Sequence, residues 1–167
     1  QHAFEYHVFS EFPSKDLPPF LLHAEVNGDD VTDLALKELF KPFPFKFDLF
    51  FNRVTASAAI QAFKGFLAKE PTAMHLPGVN GLIGGYPVVL KDGLAELDLH
   101  KEWTEADAID TNVRSLPWEG IECIESDGSI TFTEVTQSAF KTLLGKSVQG
   151  VTLDTSMDQA HQLLKAL

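Results

Sequence analysis

The chain has 167 residues, a formal net charge of -11, 44% hydrophobic residues and 22% charged residues. This balance fits a globular protein and argues against a disordered one. The acidity argues against nucleic acid and anionic membranes as partners, because both call for clustered Lys and Arg.

One cysteine, Cys123, rules out an intrachain disulfide and a Cys-based zinc site. No apolar run reaches the length of a membrane span. A cytoplasmic location is expected. The chain opens Gln1-His2-Ala3-Phe4, with no Met and no signal-peptide pattern. The expectation is a single α+β domain taken from a larger polypeptide, with an aromatic-rich segment 1–52 and a helix-loop-hairpin core 53–167.

Ten of the fourteen Phe residues lie between Phe4 and Phe51. Ala3 to Phe9 and Phe20 to Val26 read as strands. Asn27-Gly28-Asp29-Asp30 is a turn, and Asp30 or Thr32 caps a short helix to about Phe40. The alternation of Phe43, Phe45 and Phe47 suggests an extended piece with one aromatic face, packed on the core or on a second subunit. Thr55 to Ala68 is the clearest helix, with Ile60, Phe63, Phe66 and Leu67 as its apolar stripe. Its alanines permit close approach of another backbone. Glu70-Pro71 ends it.

The second half is regular. Tyr86–Leu90 and Ala95–Leu99 form a hairpin, and Thr104 caps a helix to about Ser115 with Asp107 in the capping-box place. Ile121–Glu125 and Ser129–Phe132 pair across Asp127-Gly128. Thr133 caps a helix that Gly145 stops. Val148–Leu153 is a short strand. Ser156 opens the last helix, with Gln159 completing its box and Ala160, Leu163, Leu164 and Leu167 as its apolar face. Hairpins demand antiparallel pairing, so the expected fold is α+β, with antiparallel β-hairpins packed against four or five helices.

The most distinctive stretch runs from His75 to Pro87, with four glycines, two prolines, His75, Asn80 and Tyr86 in thirteen positions. Its spacing, Gly78-x-x-Gly81-x-x-Gly84-Gly85, lacks both the dinucleotide fingerprint and the P-loop. A helix is expected before it and a strand after it, the reverse of a phosphate cradle. The candidate ligand-binding residues are His75, Gly78, Asn80, Gly81, Gly84, Gly85 and Tyr86: exposed backbone donors with three side-chain handles.

Other groups are weaker. His100-Lys101-Glu102, with Asp98 nearby, lacks metal-site spacing. Asn27 to Asp30 lacks calcium-loop spacing. Ser57 is not in a nucleophile elbow, and Cys123 has no basic neighbour in sequence. Arg53 and Arg114 suit ion pairs. The sequence thus names no catalytic residue, metal or cofactor, and leaves open whether the chain is an enzyme. The expected function is an accessory substrate-binding or assembly domain of a larger metabolic enzyme. Its glycine loop would face a small polar ligand or an adjoining catalytic domain. The alternative is a non-catalytic interaction or dimerisation domain.

Overall fold

The computed structural model describes residues 18–39 and 49–166. The readings placed on Ala3–Phe9 and Phe43–Phe47 lie outside those residues. The fold is α+β: five helices and eight strands in antiparallel sheets among the described residues. The chain divides into two compact units, one ending at Asn112 and the other beginning at Val113.

The first unit opens with the hairpin β1 (Glu25–Val26) and β2 (Asp29–Asp30). Asn27 and Gly28 both take positive φ, 54° and 87°, as an Asn-Gly hairpin turn requires. The expected strand Phe20–Val26 shrinks to its last two residues. The cause is the early turn into helix α1 (Thr32–Leu39). Val31 still donates to Ala24 O at 2.8 Å, but the Ala24 N–H is then taken by Thr32 Oγ1 at 3.1 Å. The Asp30 carboxylate accepts from the Thr32 N–H at 2.8 Å, and these Thr32 bonds hold its pKa below the ordinary value.

Helix α2 runs Leu49–Leu67, six residues longer at its start than expected, since nothing from Leu49 to Val54 breaks a helix. It lies on a sheet of order β3-β4-β5, built from β3 (Thr72–Pro77), β4 (Gly85–Lys91) and β5 (Leu94–Leu97). Strand β3 was not expected. Its Thr-Ala-Met-His-Leu-Pro sequence is poor in β-formers, and pairing decides instead: all six residues register with β4, from Thr72↔Leu90 to Pro77↔Gly85.

Burial alternates along the strands. Tyr86, Val88 and Leu90 are fully buried, and Val79, Ala108, Met74, Leu76, Leu97 and Ile109 pack around them. Pro87 sets where β5 ends. Asp98 N–H donates to Pro87 O at 2.9 Å, but proline has no N–H to return the bond, and the ladder stops at Val88↔Leu97.

The expected stripe of α2 faces the wrong way. Ile60, Phe63, Phe66 and Leu67 are exposed, and Gly65 is the buried residue, with Ala62 beside it half-buried. A Cβ on Gly65 would come within 2.7 Å of Leu90 Cδ1. Small residues let the helix backbone settle onto the sheet, and the large side chains of the opposite face are left outside. Helix α3 (Glu105–Ser115) completes the unit. Its expected capping box is present: Asp107 Oδ2 accepts from Thr104 N–H at 2.8 Å and Thr104 Oγ1 at 2.7 Å, and Thr104 Oγ1 accepts from Asp107 N–H at 3.2 Å.

The second unit has a sheet of order β6-β7-β8: β6 (Ile121–Ile124), β7 (Ile130–Phe132) and β8 (Gly150–Val151). Helix α4 (Glu134–Leu144) is capped by Thr133, whose side chain accepts from Thr136 N–H, and stopped by Gly145 at φ 69°. Helix α5 (Leu153–Ala166) begins three residues before Ser156. Its box is Thr152 with Thr155, in which each Oγ1 accepts the other's N–H at 3.3 and 3.0 Å; Gln159 instead donates to Gly150 O at 3.1 Å. Threonine therefore stands at the passage from hairpin to helix three times, at Thr32, Thr104 and Thr133.

Gly65→Val should destabilise the protein by about 2–3 kcal/mol, because Leu90 is sealed and cannot withdraw; urea denaturation reads this. Thr104 holds the Asp107 carboxyl below its ordinary pKa. Its stabilisation is therefore present above the unfolded-state value and lost as pH falls through the depressed one. Asp107→Asn should lower the thermal midpoint at pH 7, and the difference should shrink as pH falls below the ordinary carboxylate range and the carboxyl takes up its proton.

Candidate functional site

The glycine-rich stretch is the connection between β3 and β4. A strand, not the expected helix, enters it. His75 and Leu76 belong to β3, paired with Pro87 and Tyr86. The turn itself spans Gly78 to Gly84, with a single 3₁₀ turn at Val79–Gly81. Gly78, Asn80, Gly81 and Gly84 all take positive φ, between 53° and 92°. The glycine density thus serves backbone geometry that side chains resist.

The loop's amides are largely engaged at home. Gly78 N–H donates to Gly84 O at 2.8 Å and Gly81 N–H to Gly78 O at 3.3 Å. Gly85 N–H donates to Asn112 Oδ1 at 3.3 Å, while Asn112 Nδ2 donates to Gly85 O at 3.3 Å and Ala108 O at 3.1 Å. Asn112 on α3 therefore clamps the start of β4. A Cβ on Gly84 would run into the Asn112 side chain.

The seven candidate residues separate into two groups. Tyr86 is fully buried rather than an outward handle: its hydroxyl donates to Ile83 O at 2.7 Å, and burial pushes its pKa up. Gly84 and Gly85 sit against Asn112 and the His75 ring. Gly78, Asn80 and Gly81 are exposed, and open space surrounds the Cβ positions of both glycines. Val79 between them points inward to the core. His75 is also on the outer face, its ring over Gly85, whose Cβ would lie 2.8 Å from His75 Cε1. Partial desolvation holds the His75 pKa below its ordinary value.

The structure assembles one cluster that the sequence did not join. His23, just before β1, stacks on His100, just after β5, with ring centroids 3.7 Å apart and planes at 23°. Trp103 meets His100 edge-on at 5.6 Å. Glu25 Oε1 lies 3.4 Å from His23 Nε2, and Glu102 Oε2 lies 3.9 Å from His100 Nδ1. Both nitrogens are shielded from solvent and neither makes a hydrogen bond. Residues 77 positions apart carry no sequence signal for this meeting.

Among the described residues, no group of three or more His, Cys, Asp or Glu side chains is placed to hold a metal ion. None of their helices is long and apolar enough to cross a membrane. A shallow concavity of about 260 Å³ lies in the second unit, lined by Glu134, Gln137, Ser138, Lys141 and Ser147. It is smaller than the usual small-molecule site. Cys123 Sγ donates to Glu125 Oε1 at 3.4 Å. No family model, curated protein or solved structure matches the chain.

Gly84→Ala should cost about 2–4 kcal/mol in a chemical melt, because it combines a disfavoured φ with a clash against Asn112. The depressed His75 pKa has a defined sign. The unfolded chain binds the proton more readily, so the stability His75 contributes is present above the ordinary histidine range and lost as pH falls through the folded value. His75→Gln should therefore flatten the loss of thermal stability between pH 7 and pH 5.

Proposed function

We propose that this chain is a non-catalytic interaction domain that docks another polypeptide on the outward face of α2. One observation carries the reading. Phe63 and Leu67 are 70% and 86% exposed, in line with exposed Ile60, while the same helix meets its own sheet through Ala62 and Gly65. Ala56, Ile60, Phe63 and Leu67 recur at intervals of four, three and four, the spacing of a seam for a partner helix. Leaving side chains of this size in water forfeits about 1.5–3 kcal/mol each, which an occupant would recover.

The ligand-binding reading of the glycine loop has less support. Its backbone donors at Gly78, Gly81 and Gly85 already serve internal acceptors, and Tyr86 is sealed. His75 and Asn80 remain as its outward polar side chains.

A photo-crosslinking residue at position 60 or 67, expressed in the source cell, should yield an adduct heavier than the chain. The same residue at position 96, on the far face of β5, should not. Leu67→Asp should abolish the adduct formed from position 60 while shifting stability by no more than about 0.5 kcal/mol. Failure of both positions to capture a polypeptide overturns the reading.

A further inference from the structure

Helix α5, like α2, leaves large apolar side chains outside, and here the side chains specify the occupant. The helix is held to its unit by polar groups: Gln159 donates to Gly150 O at 3.1 Å, and Gln162 Oε1 accepts from Lys146 Nζ. Leu163 is half-buried on that same side, and the other apolar residues point away. Leu153, Met157 and Leu164 are 76%, 65% and 71% exposed, and Ala160 is exposed between them. The intervals are again four, three and four, so the four side chains form one continuous seam about 16 Å long.

We propose that α5 pairs antiparallel with α5 of a second copy of this chain. The proposal rests on the reading of the chain as an interaction domain and names the partner for this second face. Size and charge along the seam support it. A two-fold axis through the middle sets Leu153 opposite Leu164 of the second copy and Met157 opposite Ala160, so large residues meet at the ends and a large residue faces a small one in the centre. The same arrangement brings Asp154 of each copy alongside His161 of the other, on the same flank of the seam. Asp158 and Lys165 lie further out on that flank. A parallel two-fold pair would put the Asp154–His161 flanks of the two copies on opposite sides of the seam, so that neither contact could form. Antiparallel pairing also opposes the two helix dipoles.

Two helices of fourteen residues bury less surface than a standard interface, so the dimer belongs to the transient class. Its dissociation constant is expected at roughly 10–300 µM.

The test uses the full chain at pH 5.5. Sedimentation equilibrium should show a monomer–dimer equilibrium in that range, and Leu164→Glu should remove it without changing the circular dichroism spectrum. Asp154→Lys and His161→Glu should each weaken self-association roughly tenfold, by placing like charges together. An equimolar mixture of those two variants should regain the wild-type affinity, because both contacts are then of opposite sign. A monomer at 1 mM overturns the proposal, and so does a dimer indifferent to Leu164→Glu. A mixture no tighter than its components overturns the antiparallel register. Capture from α2 that persists while α5 stays monomeric would leave the interaction reading standing and remove only this partner.

Discussion

The first unit depends on the burial of one edge of a single strand. Tyr86, Val88 and Leu90 project from β4 into a space closed by two helices, and none of the three retains contact with water. Each helix reaches that edge through a position without bulk. Gly65 admits α2 over Leu90, and Gly84 leaves room for the Asn112 side chain of α3, which bonds the Gly85 amide. The strand supplies the volume and its surroundings supply the vacancies. Close packing demands this complementarity, since an interior tolerates neither a void nor an added methyl.

That arrangement has an effect on the outside. A helix that packs through Ala and Gly keeps its leucines and phenylalanines for the opposite side. Helix α5, seated through Gln159 and Leu163, likewise leaves Leu153, Met157 and Leu164 outside. In both units, therefore, a helix leaves large apolar side chains outside, and in α2 the side turned to the sheet is one that a hydropathy pattern assigns to solvent. Two unrelated means of attachment give the same outcome, an apolar seam offered outward, and this parallel favours a role in assembly over one in catalysis.

Much of the architecture was legible from local chemistry. Asn27-Gly28, Asp127-Gly128, the Thr104–Asp107 box and the Gly145 stop are short-range devices, each satisfied by atoms a few residues away, and each lies where the sequence places it. Strand β3 was illegible because its identity comes from β4 and not from its own residues. The direction of α2 was misread because periodicity locates an apolar side and cannot tell whether glycine will outcompete it for the sheet. The composition of the glycine-rich connection suits a surface for a guest as well as a tight turn. Asn112, the residue that claims the start of β4, stands 27 positions after Gly85 with nothing to announce it. The His23–His100 stack was hidden for the same reason.

One absent hydrogen has a long reach. Because Pro87 accepts from the Asp98 amide but has no N–H to give the Asp98 carbonyl, the chain peels away from the sheet immediately after Leu97. The peeled segment then delivers His100 to His23 and so tethers the β1–β2 hairpin. The imino nitrogen of one proline in the middle strand thereby acts as a length gauge for its neighbour and decides where the Asn27-Gly28 turn is anchored.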